Sequence, residues 1–218
     1  MMLLPQDEEL VQRRPRGRPK AEEVAAIESR LLDVAFHEFV ARGYGGTSLT
    51  SIVKAAGISK TTLYTRYASK EALFRAIMQR QIDGFAAAAA LRPTPGAPDL
   101  VAGLDAYGNR TLEISLEGAL LQVNRLIYSE SGRFPELGQA AAEFTQRGIG
   151  DVANFIGTCA EADGTPCRDP RAVAETFIYT LRGWYVEVLL TNTAVTARMR
   201  QHRVASTVRT LIAGRAEW

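Results

Sequence analysis

Residues 47–74 read TSLTSIVKAAGISKTTLYTRYASKEALF, and this stretch decides the fold. Thr47 or Ser48 supplies a hydroxyl that can accept a bond from an orphan N–H at a helix start. Leu49, Ile52, Val53 and Ala56 then fall at helical spacing. Gly57 suits the left-handed backbone on which a helix ends in a sharp turn. Ile58 reads as an apolar plug. Ser59 reads as the cap of a helix over 60–67, whose Leu63 and Tyr67 are spaced to face inward. Ser69 caps a third helix that starts near Lys70. Two short helices joined by a tight turn, with another helix directly behind, are the sequence form of a helix-turn-helix. That motif lays its second helix in the DNA major groove.

The same residues resemble a known family. Ile52, Ala56-Gly57-Ile58-Ser59, Leu63-Tyr64, Tyr67, Lys70 and Leu73 stand where the TetR/AcrR family of bacterial repressors carries IA..AGVS.G.LY.HF..K..L. With the preceding helix, the resemblance spans about fifty residues. Val53 stands where the family usually has Ala, Thr61 where it often has Gly, and Arg66-Tyr67 where it usually has His-Phe. The resemblance implies an all-α protein of about nine helices. A three-helix DNA-binding domain would be followed by a larger helical domain for ligand binding and dimerisation.

Composition fits that expectation. At 218 residues the chain can build one large core or two small ones. No apolar run has the length of a membrane span. The start, MMLLPQDEEL, is acidic where a signal peptide is basic, so a cytoplasmic protein without membrane contact is expected. Two cysteines and two histidines suggest no disulfide framework, metal site or cofactor. The net charge of +2 is unevenly spread. Residues 1–80 hold 13 Lys/Arg against 9 Asp/Glu, and residues 81–218 hold 13 Arg against 15 Asp/Glu. Basic charge near the N-terminus favours the phosphate backbone of nucleic acid.

Along the chain, residues 1–20 read as a disordered basic arm. Its Arg16, Arg18 and Lys20 lie in an Arg-Gly-Arg-Pro-Lys run. Such a Pro-stiffened strand can slide Arg into a narrow, A·T-rich minor groove. Residues 21–68 form the expected DNA-binding domain, opening with a helix over 22–42 that the glycines at 43, 45 and 46 end. Residues 69–92 form a linking helix through an alanine-rich run. Residues 93–218 form the regulatory and dimerisation domain, with helical patterns over 99–116, 117–131, 135–161, 170–191 and 194–213. No strand pattern appears. The segment RLIYSESGRFPEL, 125–137, is similar to the middle of the regulatory domain in an AcrR-like subgroup.

Side-chain roles follow. Lys60, Thr61 and Thr65 project from the recognition helix and are candidates for base contact. Thr47, Ser48, Thr62, Tyr64, Arg66 and Lys70 are candidates for phosphate, Tyr64 and Lys70 because they match family positions. Val173, Phe177, Leu181, Val188, Leu189, Val204, Val208 and Leu211 lie on the last two helices. There they could form a four-helix dimer bundle, the family arrangement, or complete an internal core; dimerisation is favoured because a palindrome is read by a two-fold pair. The resemblance also implies a partly apolar small-molecule effector. Tyr107, Arg110, Phe155, Cys159, Tyr179 and Trp184 are candidates to line its pocket.

No GxSxG, Walker, GxGxxG or HExxH motif is present, so an enzyme is not expected. The expected function is that of a repressor which binds a palindromic operator as a homodimer and is released by ligand. An architectural protein that grips A·T-rich DNA through the arm is the alternative.

Overall fold

A computed structural model of the chain describes residues 21–83, 91 and 98–218. The expectations for the arm, with Arg16, Arg18 and Lys20, and for the linking helix at 84–90 and 92 lie outside the described residues.

Among the described residues there are nine α-helices and no strand: α1 Ala21–Gly46, α2 Leu49–Ala56, α3 Lys60–Tyr64, α4 Lys70–Asp83, α5 Leu100–Leu116, α6 Gly118–Glu130, α7 Pro135–Asp163, α8 Pro170–Thr191 and α9 Ala197–Ala213. A short 3-10 turn, Arg215–Glu217, follows. The capping residues explain most of these starts. Ser48 caps α2, and Ser51 returns a bond to the Ser48 N–H in a reciprocal box. Ser59 caps α3, Asp99 caps α5, Asp169 caps α8 and Thr196 caps α9. Gly57 ends α2 at φ 65°, which opens the sharp turn into α3.

Helix α9 starts at Ala197, capped by Thr196, rather than at residue 194, α7 runs two residues further, and two boundaries in α1–α3 also differ from the sequence reading. The first helix does not stop at its glycines. It breaks at Gly43 (φ 72°) and makes one further turn, so Tyr44 swings into the core between Phe39 and Phe74. The recognition helix ends at Tyr64 rather than at residue 67, because the chain tightens there and both Arg66 and Tyr67 donate their N–H to the Leu63 carbonyl.

Two apolar cores organise the fold. The first holds Leu31, Phe39, Tyr44, Ile52, Leu63 and Phe74 from α1–α4, and continues through Val123 and Ile127 of α6 into Leu137 and Ala140 of α7. Helices α1–α4 are therefore packed directly on α6 and α7. The second lies among α5, α7, α8 and α9, around Leu104, Leu112, Ile149, Phe155 and Phe177. Val173, Phe177, Leu181, Val188, Val204 and Val208 are all buried within this single chain. That burial corrects their assignment as dimer contacts: Val173, Phe177, Leu181, Val204 and Val208 belong to the second core, Val188 is buried near Leu116 and Leu121, and the internal-core alternative holds for them. Leu189 and Leu211 are half-buried. The outward stripe of α8 carries Thr176, Tyr179, Gly183, Glu187 and Leu190 instead.

Candidate functional site

Three short helices set the outward face of the head. Leu63 is fully buried beneath α3, so the opposite side of that helix must face solvent. Lys60, Thr61, Tyr64 and Thr65 are exposed there, Tyr64 to 52%. Thr65 donates its hydroxyl to the Thr61 carbonyl at 2.7 Å, which leaves its methyl group and lone pairs outward. Ser48 is exposed at the start of α2. Thr62 is half-buried and shares a hydroxyl bond with Ser59 at 2.8 Å.

Three candidates for phosphate contact are occupied elsewhere. Thr47 is 3% exposed, and its hydroxyl lies between the Gly43 and Glu38 carbonyls at 2.8 and 3.0 Å. Arg66 pairs with Glu28 at 3.0 Å, whose other oxygen accepts the Tyr67 hydroxyl at 2.8 Å. Lys70 turns inward. Its ammonium donates to the Tyr44 and Thr47 carbonyls at 2.8 and 3.1 Å and lies 4.3 Å from the centre of the Tyr44 ring. Burial holds its pKa below the ordinary lysine value. All three side chains fasten the head together, a role the linear pattern could not display for Arg66 and Lys70 because their partners are remote in sequence.

The turn between α1 and α2 is gripped from the other side. Glu130, the last residue of α6, accepts the N–H groups of Tyr44 and Gly45 at 2.6 and 3.0 Å. Phe134 packs edge-on against Tyr44, with ring centres 5.1 Å apart. A Cβ at position 43 would lie 2.5 Å from the Glu130 carboxylate, so glycine there serves both the left-handed backbone and the close approach. Arg75 of α4 adds an ion pair to Glu143 of α7.

A cavity of about 420 Å³ lies among α4–α8. That is within the roughly 300–1,000 Å³ range of small-molecule sites. Met78, Ile114, Leu120, Ile127, Phe144 and Ile178 form much of its wall. Tyr107, Asn124, Tyr128, Arg147, Arg182 and Tyr185 contribute polar atoms. Of the sequence candidates only Tyr107 lines it; burial and the Asp151 charge push its hydroxyl pKa up to about 12. Phe155 and Cys159 are buried in the second core, Arg110 pairs with Glu113 at 2.7 Å, and Tyr179 points outward at 47% exposure. Trp184 packs on that core, beneath Arg203. These placements correct the proposed lining. Arg182 was missed although a signal existed: it is the only charged residue in TFIYTLRGWYV, 176–186.

Residues 31–77 match the model of bacterial regulatory proteins of the tetR family, and residues 102–214 match the C-terminal domain of AefR-like transcriptional repressors. The chain belongs to the TetR family. Its C-terminal domain is of the AefR-like kind. The transcriptional repressor ComR of Escherichia coli K12 is 44% identical over 75 residues, 34% of each chain. This chain thus aligns with about a third of that curated relative's length. Among solved TetR-like structures, the flavonoid-responsive regulator FrrA is 25% identical with a TM-score of 0.66, over 87% of this chain and 97% of its own. A TetR-family regulator of Mesorhizobium loti MAFF303099 is 24% identical with a TM-score of 0.68, over 87% of this chain and 96% of its own, a likeness of fold. Among the described residues no helix is long and apolar enough to cross a membrane.

Proposed function

We propose that the protein is a transcriptional repressor that binds a palindromic operator as a homodimer and leaves it when a small molecule fills the cavity among α4–α8. One observation carries this reading. Helix α6 gives Leu120, Asn124, Ile127 and Tyr128 to the cavity wall and, two residues further on, Glu130 to the head. A ligand that moves α6 must move or release the turn that orients α2 and α3.

In this mechanism Lys60, Thr61 and Thr65 touch bases, and Tyr64 and Ser48 touch phosphates. Arg66, Lys70 and Thr47 hold the geometry. Two heads sit about one helical turn apart, roughly 34–36 Å, or somewhat more, so that both recognition helices enter major grooves. The outward stripe of α8, with Tyr179 and Leu190, and Met199 of α9 form the dimer face. Helix α4 joins α6 in transmission, because it carries Met78 and Gln79 on the cavity and Lys70 at the head. A ligand can shift the equilibrium only by its difference in affinity for the two states, and operator must weaken ligand binding by the same factor. FrrA's flavonoid response supports a small-molecule effector.

Selection of bound DNA from a random pool tests the reading. The expected product is a short palindrome protected by two copies of the chain. Recovery of A·T-rich DNA without symmetry would overturn it in favour of an architectural role.

A further inference from the structure

The cavity wall is unbalanced in charge. It includes two arginines, Arg147 and Arg182, against one acid, Asp151, which is exposed. Arg147 stacks on Phe144, 4.2 Å from the ring centre, and donates to the Gln79 side-chain oxygen at 2.8 Å. Arg182 is half-buried on α8 between α6 and α7. Its Nε donates to the Tyr128 hydroxyl at 3.3 Å and its Nη1 to the Thr145 hydroxyl. Both partners are neutral. Among the described residues no ion pair includes Arg182. A guanidinium keeps its charge at any physiological pH, and a charge drawn out of water without a counter-charge is costly.

Two phenols sit beside it. The Tyr128 and Tyr185 hydroxyls are 3.4 Å apart, and both line the cavity. Burial pushes the Tyr185 pKa well above the ordinary tyrosine value, so it remains a protonated donor. Guanidinium and phenol donors therefore converge in a cavity whose wall also carries the apolar Met78, Ile114, Leu120, Ile127 and Ile178, beside neutral polar groups such as Thr111, Ser115 and Asn124. That is the layout for a molecule with one acidic end and an apolar body. A carboxylate fits a guanidinium fork through two parallel bonds, which neither an alcohol nor an amide can match.

We infer that the effector is an amphipathic carboxylate whose anionic group is held by Arg182 with Tyr128 and Tyr185, its apolar body lying along α5–α8. This deepens the ligand-responsive reading above and rests on it. The carboxylate supplies the counter-charge that Arg182 lacks. Because Tyr128 stands two residues before Glu130, capture of the anion acts on the helix that grips the head.

Calorimetric titration of the full-length protein tests this with matched probes: decanoate against decanol, and 1-naphthaleneacetate against 2-(1-naphthyl)ethanol. Each acid is expected to bind about tenfold or more tightly than its alcohol, as loss of a charge-assisted bond implies. Arg182→Met should erase that preference, and Arg182→Lys should keep part of it. Equal or tighter binding of the alcohols, or a preference that survives Arg182→Met, would overturn the anion assignment while leaving the cavity as the ligand site. Failure of all four probes to bind would overturn the carboxylate assignment; the ligand-responsive reading is decided separately, by whether a small molecule releases the bound operator. The acid–alcohol comparison needs only the unaltered protein, so it decides the matter even if Arg182 variants do not fold.

Discussion

Glu130 accepts the backbone N–H of Tyr44 at 2.6 Å, across 86 residues of chain. Its second oxygen takes Gly45, so one side chain of the regulatory domain satisfies two donors in the turn that orients the DNA-reading helices. Bonds to a charged acceptor contribute about 1.5–3 kcal/mol each, and a donor left unpaired in a partly buried site costs more than the bond alone. Glu130→Ala should therefore lower stability by about 2–4 kcal/mol, and Glu130→Gln by less, since one acceptor oxygen survives. Urea unfolding measures both. An unchanged midpoint for Glu130→Ala would mean the clamp carries no load.

That clamp also marks how far the sequence could be read. The head was legible because its signals are local: Ser48 and Ser59 cap helices whose first turns lie next to them, and Gly57 ends α2 within the same eight residues as Ile52 and Ala56. The exposed face of α3, with Lys60, Thr61 and Thr65, followed from the burial of Leu63. What escaped were pairings between distant segments. Lys70 looked available until Tyr44 was brought under it, and Arg66 until Glu28 came beside it. That six side chains of the terminal helices are core rather than surface escaped for a related reason. Phe177 and Val204 are apolar whether they face a neighbouring helix or a second chain, and periodicity cannot tell those two surfaces apart.

The proposed mechanism separates phosphate from base contacts on the exposed face of α3. Tyr64→Phe should weaken binding to every operator variant alike, because phosphate contacts carry no sequence information. Lys60→Ala or Thr61→Val should change preference among variants by about 1–3 kcal/mol at one base pair. Fluorescence anisotropy against a panel of single-base operator variants reads both. A flat profile for Lys60→Ala would move that residue to the phosphates.

The outward face of α8 and the buried face of α9 give opposite expectations for a charge. Leu190 is 74% exposed, so Leu190→Arg should leave the monomer folded, split the dimer and lower affinity for a full palindrome. Val208 is 1% exposed in the second core, so Val208→Glu should unfold the chain. Analytical ultracentrifugation and circular dichroism distinguish the outcomes. A Leu190→Arg protein that remains dimeric would place the interface elsewhere.

Alkaline stability should report on the head. Tyr67 is buried and donates to Glu28; burial first, then that bond, push its pKa up to about 12. A folded value above the unfolded value of about 10 means stability is fully present below pH 10 and is lost as pH rises towards 12. Over that window the unfolded chain releases a proton that the native one keeps. The slope from this group is at most about 1.36 kcal/mol per pH unit. Tyr67→Phe should flatten the decline by up to that amount, with the remainder due in part to Tyr107, which shares the direction. Denaturation midpoints between pH 8 and 11.5 measure it, and an unaltered slope in Tyr67→Phe would assign the decline to other groups.

On the proposed reading the basic arm adds to binding through charge, and its effect can be isolated. Residues 13–20 carry Arg13, Arg14, Arg16, Arg18 and Lys20 immediately before α1 begins. Each phosphate neutralised releases condensed counterions, so the slope of log affinity against log salt changes by about 0.9 per contact. Deleting residues 1–20 from the full chain should reduce that slope by about two or more units and lower affinity at low salt most. Arg held in a narrow minor groove adds a dependence on flanking sequence, because A·T tracts narrow the groove and deepen its negative potential. The loss on deletion should then be larger for an operator flanked by A·T tracts than for one flanked by G·C. Since the deleted segment precedes α1, the symmetric footprint should persist at reduced occupancy. An unchanged salt slope with unchanged flank preference would reduce the arm to a solubilising tail and leave DNA binding to α2 and α3 alone.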